Sequence, residues 1–275
     1  MAPGSDRRLR FSFGPVRSGP VRSGLVWLGR SAGVWSAPTQ WAGFVRPVEP
    51  GECSSAPGFP ITAFDHPIFT ESIRLIRAAL EPTGLYGVWA LDGPERDVIE
   101  RLVHSSGDLS LPADLVLPPA VCQPAMAALA AGVPILTDTA MAAAAVAPMA
   151  RRTFANGVHS VLSWAPAMAP AGSTRAAAGM QRAMAEYPGA VVLIGSAPTA
   201  LEVVLEQVAS AACPPPALVI GMPVGFVGVA ESKRHLAASG LPQIRLDGSR
   251  GGAGLVAAAV NALLRRAWLD RVQAG

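Results

Sequence analysis

Short apolar runs alternate with helical segments along most of the chain, and this alternation restricts the possible folds more than any other feature. The segments between the runs are Ala-rich or amphipathic, such as TRAAAGMQRAMAEY and PTALEVVLEQVASAA. Near-continuous apolar strands that alternate with helices are typical of a parallel sheet covered on both faces. The sequence therefore predicts an α/β fold with an open, mainly parallel sheet. The apolar runs are ADLVLP, VPILTD, VHSVLSW, AVVLIG, ALVIGM and QIRLDG.

Two helices are predicted ahead of the first apolar run. The segment HPIFTESIRLIRAAL places Ile68, Ile73, Ile76 and Leu80 at helical spacing. The segment PERDVIERLVHSS begins with Pro94, which is favoured in the first turn of a helix, and carries an apolar stripe. Each helix is therefore expected to pack one face against the core.

The first 60 residues differ from the rest of the chain in composition. They are rich in Gly, Ser, Pro, Arg and Trp, contain the tandem GPVRSGPVRSG and show no clear periodicity. Twin arginines near the start suggest an export signal, but further arginines interrupt the apolar stretch that such a signal needs. We predict a disordered N-terminal extension, or translated sequence ahead of the true start, over residues 1–60, with a functional tail as the alternative. Residues 61–270 are predicted to form a single α/β domain.

The charge distribution argues against a nucleic acid partner. The formal net charge is +3 and the isoelectric point is near 9.1. Residues 1–60 hold seven arginines against three carboxylates, which gives +4, and the rest holds 15 basic against 16 acidic residues, which gives −1. The part predicted to fold therefore has no basic footprint for a polyanion.

The sequence gives no indication of a membrane span, a disulfide framework or a metal site. No stretch approaches about 18 uninterrupted apolar residues. Cys53, Cys122 and Cys213 are far apart and no CxxC occurs, which favours a reducing compartment. The four histidines show no ligand spacing with acids or cysteines. We therefore expect a cytoplasmic protein with no membrane partner and no bound metal.

The segments that follow the predicted strands are rich in Gly, Pro and small hydroxyl residues. In parallel α/β folds, ligands bind beyond the carboxyl ends of the strands, in the loops that lead into the helices. These loops read TDT, GSAPT, GMPVGFVGVAES and DGSRGGAG. They predict a site at which backbone approaches a ligand closely and helix N-termini point at anionic groups.

The segment GAGLVA, residues 252–257, matches part of a dinucleotide-binding fingerprint. The fingerprint also needs a further strand and an acidic residue about 20 positions later, and only one helix follows the segment in this sequence. We interpret the segment as a tight turn into that helix, and we expect no nucleotide and no other cofactor. An NAD(P)-dependent oxidoreductase is kept as a lesser alternative.

Six segments carry a resemblance to a known family. They are RLVHSSGD, PILTDTAM, STRAAAGM, VVLIGSAPTAL, ALVIGMPVGFVGVAESK and RGGAGLVAAAVNALL, in this order. Together they resemble the precorrin-8X methylmutase family of cobalamin (vitamin B12) biosynthesis, including its cobalt-precorrin-8 counterpart. The resemblance extends roughly from Pro67 to Leu264 and leaves out residues 1–60.

The resemblance implies a three-layer α/β/α fold with a mainly parallel sheet of about five strands, and a homodimer. It also implies an isomerase that moves a methyl group from C11 to C12 of a tetrapyrrole, giving hydrogenobyrinate or, with cobalt inserted, cobyrinate. The family's catalytic histidine corresponds to His104, and a substrate-contacting serine corresponds to Ser72. The alternative from another class is a carrier that binds the corrinoid without catalysis.

From the residues alone, His104 is ambiguous, because its place beside Glu100 and Arg101 on a helix is typical of a surface histidine. A methyl shift around a conjugated ring requires the enzyme to hold the macrocycle and change its electron distribution. Histidine, with an ordinary pKa near 6.5, can give a proton to a ring nitrogen and recover it. The resemblance therefore favours His104 as the proton donor and acceptor.

Two arginines are candidates for the acidic rim of the ring. Arg175 and Arg250 lie at loop-to-helix junctions, where carboxylates are favoured. We predict that both contact substrate carboxylates, with exposed, solvated arginines as the alternative.

The remaining candidates are polar side chains in the loops after two strands. Asp138 either caps the next helix, itself or through Thr139, or has a site role in which it holds a substrate amine or orients a neighbour. Thr137 is also predicted to bind the substrate. The hydroxyls of Ser196 and Thr199, and the amides near them, are predicted to receive a substrate carboxylate.

Overall fold

The computed structural model describes residues 64–84, 93–118 and 120–274, so the predictions for residues 1–60 lie outside the described residues. The described part contains eight helices and six strands. The helices are Pro67–Leu80 (α1), Pro94–Ser106 (α2), Cys122–Ala130 (α3), Ala140–Arg152 (α4), Arg175–Glu186 (α5), Pro198–Ala209 (α6), Val229–Ala238 (α7) and Ala253–Ala274 (α8). The strands are Leu115–Val116 (β1), Ile135–Thr137 (β2), Val158–Ser160 (β3), Val191–Ile194 (β4), Leu218–Gly221 (β5) and Gln243–Leu246 (β6).

The strands form one sheet in the order β1-β6-β5-β4-β2-β3. Strands β2 to β6 pair in parallel, and the register places Val192 opposite Val219. Strand β1 is antiparallel to β6, with Leu115 opposite Leu246. The prediction of a mainly parallel sheet is confirmed, and the two-residue edge strand β1 brings the strand number to six rather than about five.

Helices cover both faces of this sheet. Val191 and Leu193 of β4 belong to a core that also contains buried residues of α2, α3, α4 and α8. Val192 and Ile194 point to the opposite face and pack with residues of α5 and α6. This alternation follows from the period of two in a strand. The predicted three-layer α/β/α arrangement is confirmed, with α1 packed on α2 outside the layer next to the sheet.

The last helix, α8, is the longest and contacts α2, α3 and α4. Its residues 256–264 are buried, which is why its sequence is nearly continuous in alanine, valine and leucine. Within the part of the chain that the structure describes, none of the helices combines the length and apolar content that a membrane crossing needs.

The third predicted strand is shorter than its apolar run. VHSVLSW predicts a strand over residues 158–164, but β3 ends at Ser160 and a 3₁₀ turn follows over Val161–Ser163. The hydroxyl of Ser160 accepts a hydrogen bond from the amide of Leu162 at 3.4 Å. This local bond turns the backbone out of the extended conformation.

The glycine-rich loop, residues 248–252, packs tightly against the carboxyl ends of two strands. The amide of Gly252 donates to the carbonyl of Met222 at 2.9 Å. A Cβ atom on Gly251 would lie 2.0 Å from the same carbonyl oxygen, and one on Gly195 would lie 2.7 Å from the amide of Ala253. Glycine is therefore required where the loop meets β4 and β5.

We predict that Gly251→Ala destabilises the fold by about 1–3 kcal/mol, because the added methyl group has to displace backbone. Gly254→Ala is the matched control, since a Cβ there meets no atom within 4 Å and the position is helical. The control is expected to be neutral or stabilising by less than about 1 kcal/mol. Urea unfolding of both variants tests this, and equal stability of Gly251→Ala and wild type would contradict the packing account.

Candidate active site

His104 lies in the last turn of α2. The helix ends at Gly107, which adopts the left-handed conformation with φ of 68° and donates its amide to the carbonyl of Val103 at 2.8 Å. Glycine adopts this conformation without the Cβ clash that other residues meet, and it is a common helix terminator. The early end of α2 leaves the His104 side chain exposed next to α1.

Ser72 of α1 contacts His104 directly. Its Oγ lies 2.8 Å from His104 Nδ1, although 32 positions separate the two residues. The bond fixes the orientation of the imidazole. Among the described residues nothing hydrogen-bonds to Nε2, so this nitrogen is available to a ligand. A cavity of about 290 Å³ adjoins the pair and is otherwise lined by apolar side chains such as Leu75, Ile76 and Leu109.

The surroundings of His104 favour its neutral form. Burial against neighbouring side chains, and then the positive charge of Arg101, lower the pKa of His104 below its ordinary value of 6.5. Phe69 meets the imidazole edge to face, with 5.1 Å between ring centroids. The free protein at pH 7 therefore presents a neutral imidazole held by Ser72 and Phe69.

Asp138 occupies the site that the sequence assigned to a substrate carboxylate. Its Oδ2 accepts hydrogen bonds from the amides of Ser196 at 2.6 Å and Ala197 at 2.7 Å, at the start of α6. Burial raises the pKa of Asp138, and these amide bonds oppose the rise. The predicted use of these amides for the substrate is corrected: the loop before α6 receives a carboxylate, but that of the protein itself.

Thr137 and Asp138 are both buried, at 0% and 1% exposure. The Thr137 hydroxyl donates to the carbonyl of Thr139 at 2.8 Å, and Thr139 caps α4 by accepting from the amide of Ala142. Substrate contact by Thr137 and Asp138 stays a prediction, and the structure places both side chains inside the protein. Both residues shape the loop after β2, and the capping role falls to Thr139.

Arg175 and Thr199 are exposed and lie in the first turns of α5 and α6. Thr174 caps α5 and its hydroxyl lies 2.7 Å from that of Thr199. Arg175 is exposed and donates from Nε to the carbonyl of Pro166 at 2.9 Å. Ser196 is also exposed. Substrate contact by these three predicted residues stays a prediction.

Arg250 is bound within the protein instead of facing a ligand freely. Its guanidinium donates to Asp114 at 2.8 Å, hydrogen-bonds to Asp108 and approaches the hydroxyl of Ser110 at 3.3 Å. Asp108 follows His104 by four residues. Arg250 therefore ties the glycine-rich loop to the segment that follows α2, which is a different role from the predicted contact with a substrate carboxylate.

Sequence reasoning missed Lys233. Its side chain is 1% exposed, and its Nζ donates to the carbonyls of Gly248 at 2.8 Å and Arg250 at 2.7 Å. Lys233 is the only lysine in a chain with 21 arginines. This contrast is the sequence feature from which a special role for Lys233 could have been predicted. A compact ammonium fits between two carbonyls where the wider guanidinium of arginine would not.

The glycine-rich loop connects the two groups of predicted site residues. On one side Arg250 binds the segment after His104, and on the other Ala253 packs against Gly195, next to the Ser196 amide that binds Asp138. Ser72 and His104 are brought into contact, and so are Asp138 and Ser196. Asp138 and Ser196 lie directly after β2 and β4, at the carboxyl end of the sheet where parallel α/β folds bind ligands, and Arg250, after β6, binds the segment that follows α2.

Fold and site together define an α/β enzyme whose polar groups collect at this end of a parallel sheet. A family model described as precorrin-8X methylmutase matches residues 67–266. The chain belongs to the precorrin-8X methylmutase family, and it is an isomerase of cobalamin biosynthesis. The resemblance stated from the motifs is confirmed.

The matches to known relatives cover nearly the whole length of those proteins. A cobalt-precorrin-8 methylmutase from Synechocystis sp. is 36% identical over 220 residues, or 75% of this chain and 98% of that protein. A precorrin-8X methylmutase from Pseudomonas aeruginosa is 40% identical over 201 residues, or 71% and 93%. A crystal structure of precorrin-8X methylmutase from Thermus thermophilus superposes with a TM-score of 0.64 at 34% identity, covering 74% of this chain and 98% of that one.

We predict that Lys233 makes stability rise with pH in alkaline solution. Burial lowers the pKa of Lys233 to about 8, whereas in the unfolded chain it is near 10.5. Between these values the unfolded state binds more protons, so the group adds about 1–2 kcal/mol to the free energy of unfolding from pH 7 to pH 9.5. Below pH 8 it adds no pH dependence.

The measurement is denaturant unfolding of wild type and Lys233→Met at both pH values. The advantage of wild type over the variant is expected to grow by that amount at pH 9.5. Arg234→Met, at an exposed neighbouring position, is the control and should leave the pH dependence unchanged. A constant difference between wild type and Lys233→Met would mean that the buried ammonium does not titrate in this range.

Proposed function

We propose that this chain moves a methyl group from C11 to C12 of precorrin-8X, or of cobalt-precorrin-8, to give hydrogenobyrinate or cobyrinate. The observation that carries the proposal is the His104–Ser72 pair, which lies within the part matched by the family model and leaves one imidazole nitrogen available. The substrate class comes from the names of the relatives in Synechocystis and Pseudomonas.

His104 supplies the proton that the rearrangement needs. A proton placed on a ring nitrogen draws electron density from the conjugated system, which weakens the bond of the methyl group to its carbon. Because the methyl group leaves and arrives on the same molecule, the proton is taken back at the end and no group stays on the protein. Such acid–base assistance contributes about 10²–10⁴-fold, and holding the ring in reactive geometry contributes the rest.

Ser72 acts on the imidazole and on the orientation of the substrate. Its hydroxyl bonds Nδ1 and therefore directs Nε2 toward the ligand. The exposed hydroxyls of Ser196 and Thr199 and the guanidinium of Arg175 are proposed to contact the acidic rim of the ring. Both cobalt-free and cobalt-containing rings present the same rim.

We also propose a cytoplasmic homodimer in which residues 61–270 form one methylmutase-like domain. The domain is supported by the continuous match over residues 67–266 and by two cores, one on each face of the sheet, which together include residues from α1 through α8. The dimer is supported by Phe226 and Val227, which are 95% and 88% exposed in the loop between β5 and α7. Exposed apolar side chains of this kind are typical of an interaction surface.

The proposed cytoplasmic location is supported by the cysteines. The free, buried thiols of Cys122 and Cys213 are consistent with a reducing compartment.

His104→Ala is expected to lower the turnover of precorrin-8X at least about 100-fold, because the proton donor is lost. Ser72→Ala is expected to retain more activity, since the imidazole remains but loses its orientation. Conversion is followed by the absorption change of the tetrapyrrole, with cobalt-free and cobalt-containing substrates assayed in parallel. Affinity for hydrogenobyrinate should stay within about fivefold of wild type, because neither change removes a carboxylate contact.

The matched control is His235→Ala. His235 is also an exposed helical histidine bonded through Nδ1, but to Glu202 on α6. Turnover by this control should equal that of wild type. Equal rates for His104→Ala and His235→Ala would remove His104 from the reaction, and absence of conversion by the wild type would reject the proposed activity.

A further inference from the structure

A second cleft shares no lining residue with the cavity next to His104. It has a volume of about 460 Å³ and is formed by α1, α2 and α8. Charged side chains dominate its lining, in contrast to the apolar lining of the cavity beside Ser72. The charged residues are Asp65, Glu71, Arg74, Arg77, Asp97, Glu100, Arg101 and Arg265.

The carboxylates of this cleft are already bound to arginines. Glu71 binds Arg74, with contacts of 2.7 and 2.8 Å. Glu100 binds Arg77 through both oxygens. The other pairs are Asp65 with Arg265 and Asp97 with Arg266.

Arg101 differs from the other arginines that line the cleft. Within residues 64–84, 93–118 and 120–274, no carboxylate is hydrogen-bonded to its guanidinium. The group lies over the face of Phe69, with Cζ 4.7 Å from the ring centroid. Burial, and then the nearby charge of Arg265, lower the pKa of Arg101, whereas the carboxylate of Asp65 opposes this shift. A half-buried cation of this kind is stabilised when an anion binds to it.

Phe69 connects Arg101 to His104. The imidazole centroid lies 5.1 Å from the Phe69 centroid and Arg101 Cζ lies 4.7 Å from it, so the two groups are less than about 10 Å apart. A macrocycle that meets Nε2 of His104 with one ring nitrogen carries acetate and propionate arms at its rim. The ring and such an arm together are long enough to span this separation.

From this arrangement we infer that Arg101 is a substrate-binding residue, which holds one peripheral carboxylate of the tetrapyrrole beside His104. The inference rests on the proposed function. It places a substrate contact on α2, the helix that carries His104, and not in a loop that follows a strand. Arginine suits the role because its fork of donors binds both oxygens of a carboxylate.

The same contact couples binding to proton donation. In the free protein the charge of Arg101 is the one ionic influence resolved on His104, and the two residues of α1 that contact the imidazole, Ser72 and Phe69, are uncharged. A bound carboxylate neutralises that charge. The pKa of His104 then rises, and the imidazole gains its proton when the substrate is in place.

The test compares Arg101→Gln with Arg74→Gln, which removes an arginine of the same cleft that is already paired with Glu71. Loss of a charge-assisted, bidentate contact should weaken hydrogenobyrinate binding about 10- to 100-fold in Arg101→Gln. Arg74→Gln should bind as wild type does. Hydrogenobyrinate with its carboxylates converted to amides should bind both variants and wild type alike, because the charge that Arg101 recognises is absent.

An NMR titration of His104 supplies a readout that a purely structural role would not change. In wild type, hydrogenobyrinate should raise the pKa of His104. In Arg101→Gln the pKa should already be raised without ligand and should change less on binding. Arg101→Lys keeps the charge and loses the fork, so it should keep the low pKa of the free protein but bind several-fold more weakly than wild type.

Equal affinities of Arg101→Gln and Arg74→Gln, with equal His104 titrations, would overturn the assignment while wild-type turnover stands. If Arg101→Gln does not fold, Arg101→Lys decides by the same measurements, and wild-type affinity in that variant would reject the bidentate contact. Failure of wild type itself to bind or convert the tetrapyrrole would instead reject the proposed function.

Discussion

The glycine-rich loop between β6 and α8 is the constraint on which the rest of the site depends. Its backbone touches the end of β5 so closely that Gly251 has no room for a Cβ atom. Its carbonyls hold the ammonium of Lys233, and its Arg250 binds the segment that follows α2. The position of His104 at the end of α2 is therefore fixed by packing at the centre of the sheet and not only by its own helix.

The charges of the protein determine how an acidic ligand can be bound. The amides ahead of α6 would attract an anion, but the carboxylate of Asp138 already fills them. Arg250 is likewise bound by Asp108 and Asp114. With these groups satisfied internally, we propose that the acidic rim is bound by side chains with no carboxylate hydrogen-bonded to them, such as the exposed Arg175 and the half-buried Arg101. The chain outside residues 1–60 can therefore be nearly neutral and still bind an acidic ring.

The layers of the fold could be predicted from the sequence because they depend on local periodicity. Near-continuous apolar runs require burial on both faces, and helix starts such as Pro94 are set by residues close in sequence. Contacts between distant residues could not be predicted in this way. The bond of Ser72 to His104 depends on how α1 packs on α2, and the site residues came from a family resemblance instead of from spacing. Asp138 shows the same limit, since it binds the start of α6, 58 residues away, instead of the helix that follows it.

The most direct test of the account is a crystal structure of the protein with hydrogenobyrinate bound. The ring is expected to lie against α1 and α2, with a ring atom within hydrogen-bond distance of His104 Nε2 and the Ser72–His104 bond preserved. A ring bound elsewhere, with His104 Nε2 facing solvent, would contradict it.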